Sequence, residues 1–375
     1  MNTRKRNAGL AAFFLSGVCA ISTGVVVSLL QESHGFAYGM TGTLLSLMSI
    51  GNLIAGFLAG ILPSKLGIKG SVALLTTGYL LGYLLMGLSG SIPLLMLAFF
   101  LVGIAKGCTI NMCTILVGNN SPNRTTGMNL MHGCYAFGAL LCPFAIAAAQ
   151  KLGTMVPMFV LAGCGLALWL IFFTTPLEAG GKKAGGKTDW GFLKSKRFWL
   201  LTCLIFCQNA AETGVTSWMV TYFKGSGIIS GQFSPYTVTV MWSATLIARL
   251  LIAFVLPIKN AYAAMIKMSL GCIIFYVALV QANAQLPAML LLFAFAFSRA
   301  GMNPTATAAA GRMTTPTSLG IMLPVASSGA IIMPWVIGQV ADRVSIGAGM
   351  ATNILPCIGL VIFALLVRRL PDGQE

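Results

Sequence analysis

Five ionisable side chains lie inside long apolar stretches: Lys106, Glu212, Arg249, Lys267 and Arg299. A charge at mid-bilayer costs about 3 kcal/mol or more, so such a residue needs a partner, water or a ligand. Lys106 follows Pro93 by 13 residues and Arg299 follows Pro287 by 12. At ~1.5 Å per residue both cations sit about 18–20 Å along their stretches. Glu212 lies 15 residues beyond Arg197, with Gln208 and Asn209 four and three residues before it, so one helical face is polar. Asn111 and Asn303 accompany the two cations, and Asn303-Pro304 interrupts the helical hydrogen-bond ladder, leaving backbone groups a cavity can use. These residues either line a hydrophilic cavity or form one structural ion pair between Glu212 and a cation. Three charges with several amides exceed what one lock requires, which favours the cavity. Glu212 is the candidate proton-coupling carboxylate, protonated when loaded and ionised on release. His132 is either a second proton-handling group or a packed histidine. Tyr135 and Trp242 either stack on a sugar ring or simply pack. Arg249 and Lys267 lie within two turns of the cytoplasmic ends of their stretches and are expected to snorkel or to pair with the loop.

The elements that must position these groups are membrane-spanning helices. Charged residues make up 8% of the chain and hydrophobic residues 57%, against roughly 25% charged in soluble proteins. About 20 apolar residues cross a bilayer. Stretches of that kind fall at 8–30, 37–62, 70–89, 93–117, 125–149, 153–174, 198–222, 235–256, 261–281, 286–310, 318–340 and 348–367. Met1–Leu30 opens with Arg4-Lys5-Arg6, but its apolar run is too long for a signal-peptide core, so it is read as the first span. All ten cysteines fall in apolar segments without a histidine cluster, which reads as buried free thiols and not as a metal site.

The net charge of +16 reports orientation and not a nucleic-acid partner. With the N-terminus in the cytoplasm and loops alternating, sixteen Lys and Arg face inward and three (Lys151, Lys224 and Arg343) face outward. Cytoplasmic loops carry such an excess. Both termini are then cytoplasmic, in the plasma (inner) membrane.

Two halves are expected: 1–177, a Gly- and Lys-rich cytoplasmic linker at 178–196, and 197–375. Gly138-Ala139-Leu140-Leu141-Cys142-Pro143 recurs as Gly329-Ala330-Ile331-Ile332-Met333-Pro334, Pro93 as Pro287, and Lys106 as Arg299, all at an offset of 191 to 194. A duplicated six-span unit with a site between the halves is a transporter plan.

This pattern resembles the major facilitator superfamily. Gly60-Ile61-Leu62-Pro63-Ser64-Lys65-Leu66-Gly67-Ile68-Lys69 is similar to its G-x-L-x-D-R-x-G-R-K loop, with Ser64 in place of the Asp and Ile68 in place of the second Arg. Asn129 to Ala139, and Glu212 with Trp218, resemble stretches of the fucose-permease and sodium-dependent-glucose-transporter-like group, and Arg249 matches its Gly-Arg element at the Arg. The acidic residues which that group carries in spans one and four are absent; Ile110 stands at about the second place. The resemblance implies an all-α membrane protein of twelve transmembrane helices in two pseudo-symmetric six-helix bundles.

The chain is therefore read as a secondary transporter, not an enzyme, working by alternating access on a sugar, sugar acid or small organic anion. The candidate substrate-binding residues are Lys106, Asn111, Tyr135, Gln208, Asn209, Glu212, Trp242, Arg299 and Asn303. Glu212 and His132 are the candidate proton-coupling residues. The resemblance leans toward neutral sugars; the surplus of two deep cations over one deep anion leans toward anions. Expected partners are the solute, H+ in preference to Na+ and the lipid bilayer, with no cofactor, and a monomeric state. Export of amphipathic compounds on the same scaffold is the alternative.

Overall fold

The computed structural model describes residues 2–122, 124–177, 191–256, 258–310 and 316–370. The expected linker at 178–196 thus falls mostly outside the described residues, as does Arg312. Among the described residues every regular element is helical. By contact clustering the chain divides into two compact units, Met1–Lys182 and Lys183–Glu375.

The first unit contains α1 (Thr3–Ile21), α2 (Thr23–His34), α3 (Tyr38–Ile61), α4 (Pro63–Leu88), α5 (Ile92–Asn120), α6 (Arg124–Gln150) and α7 (Val156–Thr174). The second contains a short 3-10 turn (Gly191–Lys194), α8 (Lys196–Gly225), α9 (Tyr236–Leu250) with a π-helical turn (Leu251–Val255), α10 (Ala261–Val280) and α11 (Gln285–Arg299). It continues with α12 (Met302–Ala310), α13 (Pro316–Arg343), α14 (Ile346–Ala351) and α15 (Ile354–Arg369).

Among the described residues, ten helical segments are long and apolar enough to cross a membrane. The segments α8 and α9 are not among them. Gln208, Asn209 and Glu212 make α8 polar, and α9 is only 15 residues long before its π turn. Large apolar side chains lie exposed along the helices, among them Phe57, Ile274, Leu286 and Phe254. A water-facing surface does not carry that many; a lipid-facing one does.

Four expected single spans are interrupted, each for a local reason. The first runs from Thr3 to His34 and pauses at Ser22, whose hydroxyl donates to the Cys19 carbonyl at 2.8 Å. The span at 235–256 ends in the π-helical turn. The span at 286–310 breaks between Arg299 and Met302. Pro304 has no N–H for the Ala300 carbonyl one turn earlier, so the ladder fails there. The last span breaks at Thr352-Asn353, between α14 and α15. In α4, Gly67 adopts φ +68°, a left-handed conformation open to glycine, and bends the helix where the charged loop enters it.

Inside each unit the main packings follow one scheme. In the first, α1 packs on α6, α3 and α4 on α5, and α7 on α4 and α1. In the second, α8 packs on α13, α9 and α10 on α11, and α15 on α10 and α8. Individual contacts repeat with the same offset. A Cβ built on Gly138 would lie 2.2 Å from the Phe14 carbonyl oxygen, and one built on Gly329 would lie 2.3 Å from that of Phe206. Gly17 abuts the Tyr135 carbonyl; in the second unit Asn209 Nδ2 donates to the Ala326 carbonyl at 3.0 Å. The Cys19 thiol points at the Leu161 carbonyl, and Asn353 Nδ2 donates to the Ala211 carbonyl at 3.2 Å. Each second-unit residue stands 191 or 192 positions after its first-unit counterpart. Lipid supplies no hydrophobic drive between helices, so close backbone approach at such small residues holds them together.

Buried tyrosines complete each core. Tyr83 donates to the Cys19 carbonyl and bonds Ser22 Oγ at 2.9 Å, while Tyr79 bonds Ser16 Oγ at 2.8 Å. Tyr276, 193 residues after Tyr83, donates to the Met350 carbonyl at 2.8 Å.

Adding a methyl at Gly138 or Gly329 forces a helix pair apart, at about 1–3 kcal/mol each. Thermal unfolding in detergent should show Gly138→Ala and Gly329→Ala losing comparable stability. Gly163→Ala, whose Cβ meets nothing within 4 Å, should lose none.

Candidate functional site

The α8 helix brings Gln208, Asn209 and Glu212 onto one face by its 3.6-residue period, and α11 ends at Arg299, just before the break that Pro304 imposes. There Arg299 Nη1 meets Glu212 Oε2 at 2.5 Å. Gln208 Nε2 donates to the same oxygen at 3.3 Å. Two donors thus converge on one carboxylate oxygen inside an otherwise apolar unit.

The pair is asymmetric. The Arg299 side chain is 1% exposed and that of Glu212 28%. The cation is sealed behind, and the carboxylate opens in front. Both Arg299 Nε and Nη2, and Gln208 Oε1, are buried without a hydrogen-bond partner. Leaving such groups unmet costs about 1–3 kcal/mol each, a cost that a static lock is not expected to retain. Around them, Thr216 Oγ1 donates to the Glu212 backbone carbonyl at 2.8 Å and lies 3.7 Å from the Met241 sulfur of α9. Trp218 Nε1 donates to the Pro334 carbonyl at 3.0 Å, tying α8 to α13.

The other sequence-predicted residues take several positions. Asn209 is engaged in the α8–α13 crossing, so its amide already has a structural partner. Asn303 lies one turn beyond Arg299 and accepts from Thr307 through its backbone and side-chain oxygens, at 2.9 and 3.4 Å. Trp242 is buried on α9. In the first unit Lys106 is half-buried on α5; Asn111 is exposed and lies about 140° around that helix from it. Phe13 of α1 packs against both His132 (5.7 Å, edge-on) and Tyr135 (4.9 Å) of α6. Lys267 is exposed, and Arg249 is half-buried at the end of α9.

Sequence reasoning passed over Ser16, Tyr79, Tyr83, Tyr276 and Asn353. The shared offset of Tyr83 and Tyr276 was a usable mark. Asn353 had none, because an asparagine at a helix break looks like any other turn residue.

A helical unit with an ion pair at its centre and lipid-facing flanks defines a membrane protein with an internal polar site. A family model of the Major Facilitator Superfamily matches residues 9–334, and the chain belongs to that superfamily. Protein TsgA of Escherichia coli O157:H7 is 26% identical over 262 residues, 64% of each chain. A TsgA homolog of Citrobacter koseri is 26% identical over 229 residues, 58% of this chain and 57% of the relative. The chain thus matches about three fifths of the length of these curated relatives. Among solved structures, a mutant of the nucleoside transporter NupG superposes with TM-score 0.80 at 14% identity, covering 98% of this chain and 99% of that one. A bacterial homolog of the human lysosomal transporter Spinster, in an inward-facing and unoccupied conformation, superposes with TM-score 0.76 at 13% identity, covering 98% of both. At such identities these two show the fold.

Removing Arg299 leaves the Glu212 charge uncompensated. Arg299→Met should cost roughly 3 kcal/mol, and adding Glu212→Gln should recover most of it. A double-mutant cycle on thermal unfolding measures this; additive losses would dissolve the pair as an energetic unit.

Proposed function

We propose that this chain is a secondary transporter which moves a small polar organic solute across the bilayer by alternating access, coupled to protons through Glu212. The observation that carries this reading is the 2.5 Å Glu212–Arg299 pair, sealed on its cationic side and open on its acidic side. An ionised carboxylate beside a guanidinium forms a neutral unit. Adding a proton to the open side frees the guanidinium from its counter-charge and changes what the helix ends hold. A buried ion pair in a transport protein is a functional-site reading by default, and membership of the superfamily gives it a carrier scaffold.

The solute we propose is neutral and hydroxyl-rich. Arg299 is covered and its charge is already met by Glu212, so an anion has no exposed guanidinium edge to dock on. Amides and the half-buried Glu212 carboxylate suit hydroxyl groups. NupG is a nucleoside transporter, and nucleosides and sugars both fall in this class. Sugar acids, favoured by the charge count in sequence, form the contrasting arm of the test. Lys106 and Tyr135 of the first unit are further proposed substrate-binding residues.

The proposed topology has twelve crossings, counting α1 with α2, α9 with its π turn, α11 with α12, and α14 with α15 as one crossing each. Both termini are then cytoplasmic, in the inner membrane. A fluorescent protein fused after Glu375 should fluoresce, and alkaline phosphatase fused there should be inactive; the reverse pattern would overturn the topology.

In proteoliposomes, an imposed inward proton gradient should drive uptake of a sugar or nucleoside over the matching sugar acid. Glu212→Gln should abolish that gradient-driven uptake and spare counterflow exchange. Undiminished gradient-driven uptake in this variant would remove Glu212 from coupling.

A further inference from the structure

Gln208 carries an amide with one end committed and the other end idle. Its Nε2 donates to Glu212 Oε2 at 3.3 Å, while its Oε1 is buried without a partner. The side chain is 1% exposed, so solvent does not orient it. An amide presents a donor and an acceptor of nearly the same shape, exchanged by a half-turn about one bond. With Oε1 unmet and Glu212 the side-chain partner of Nε2, the state of Glu212 bears on which way the amide points.

We propose that Gln208 is a proton-linked amide switch serving Glu212, a positioning role that rests on the coupling assigned to that carboxylate above. When Glu212 is ionised, Oε2 accepts from both Arg299 Nη1 and Gln208 Nε2. When a proton arrives on Oε2, that oxygen becomes a donor, and the amide N–H facing it becomes a second donor with nothing to meet. Turning the amide places Oε1 at the shared point. There it accepts from the Glu212 hydroxyl and lies beside the Arg299 donors, which are themselves short of acceptors. No bond other than the carboxyl O–H forms or breaks. The proton comes from the open side of Glu212 and returns there. The switch lets a carboxyl become neutral in a buried site without orphaning its hydroxyl.

The surroundings leave Arg299 as the charged partner of Glu212. Of the elements packed on α8, α12 and α14 carry no ionisable residue. The described part of α13 carries Asp342 and Arg343 at its far end, and α15 carries Cys357 and, at its end, Arg368 and Arg369. The α9 helix carries Tyr236 and Arg249 at its two ends, the 3-10 turn carries Lys194, and α8 itself adds Cys203 and Cys207 before Gln208, with Lys196 and Arg197 at its start and Tyr222 and Lys224 at its end.

The test is pH-difference infrared spectroscopy of the full chain in lipid. The protonated-carboxyl band that Glu212→Gln removes should be accompanied by a glutamine side-chain carbonyl band. That second band should move on 13C labelling of glutamine and vanish in Gln208→Met. In Gln208→Met the carboxyl band should also shift to the higher frequency of a hydroxyl without an acceptor, and gradient-driven uptake should fall about tenfold, the loss of one buried hydrogen bond. A carboxyl band with no glutamine partner in the wild type would overturn the switch while leaving Glu212 as the coupling group. Absence of any band removable by Glu212→Gln would overturn both. The labelled wild type separates these outcomes even if Gln208→Met does not fold.

Discussion

A carboxylate and a guanidinium meet at 2.5 Å inside a unit built to face lipid, and the second half of this chain is arranged around that contact. Either charge alone would be costly there. Together they hold α8 against the end of α11, where the missing N–H of Pro304 has already opened the ladder. The sealed guanidinium gives the carboxylate a fixed counter-charge. The carboxylate keeps part of its surface uncovered. Three buried polar atoms of Arg299 and Gln208 lack partners, at a cost of about 1–3 kcal/mol each.

The two units share a scaffold and differ in chemistry. Phe14 with Gly138 corresponds to Phe206 with Gly329, and Cys19 with Leu161 to Ala211 with Asn353. At the same offsets Lys106 corresponds to Arg299, but Ala20 stands where Glu212 would be and Ser16 where Gln208 would be. Ser16 bonds Tyr79, and Ala20 is buried. The duplicated packing has been kept while the acidic half of the pair exists in the second unit alone. That asymmetry fits the proposed coupling through Glu212.

Much of the fold was legible because lipid imposes a simple rule: backbone groups are met within helices, and apolar runs of fixed length result. The repeat was legible in Gly138 and Gly329 because close helix crossings admit little but glycine. Glu212 and Arg299 were legible because charges in apolar runs are rare. Their pairing was one of two open readings, since helix-to-helix distance is not written in local spacing. The breaks at Ser22 and Thr352-Asn353 were hidden, because polar residues there look like ordinary packing. Asn209 and Trp242 were read as binding groups from their chemistry alone. The structure adds a carbonyl partner on α13 for Asn209 and a buried position for Trp242, neither of which local spacing encodes.

In the proposed mechanism protonation, and not packing alone, governs the Glu212–Arg299 contact. Experimental structures in lipid nanodiscs, at neutral pH and at the acid pH of maximal uptake, measure this directly. The expected result is Arg299 Nη1 against Glu212 at neutral pH and turned toward Gln208 Oε1 at acid pH. The same close pair, with the same amide orientation, at both values would contradict it.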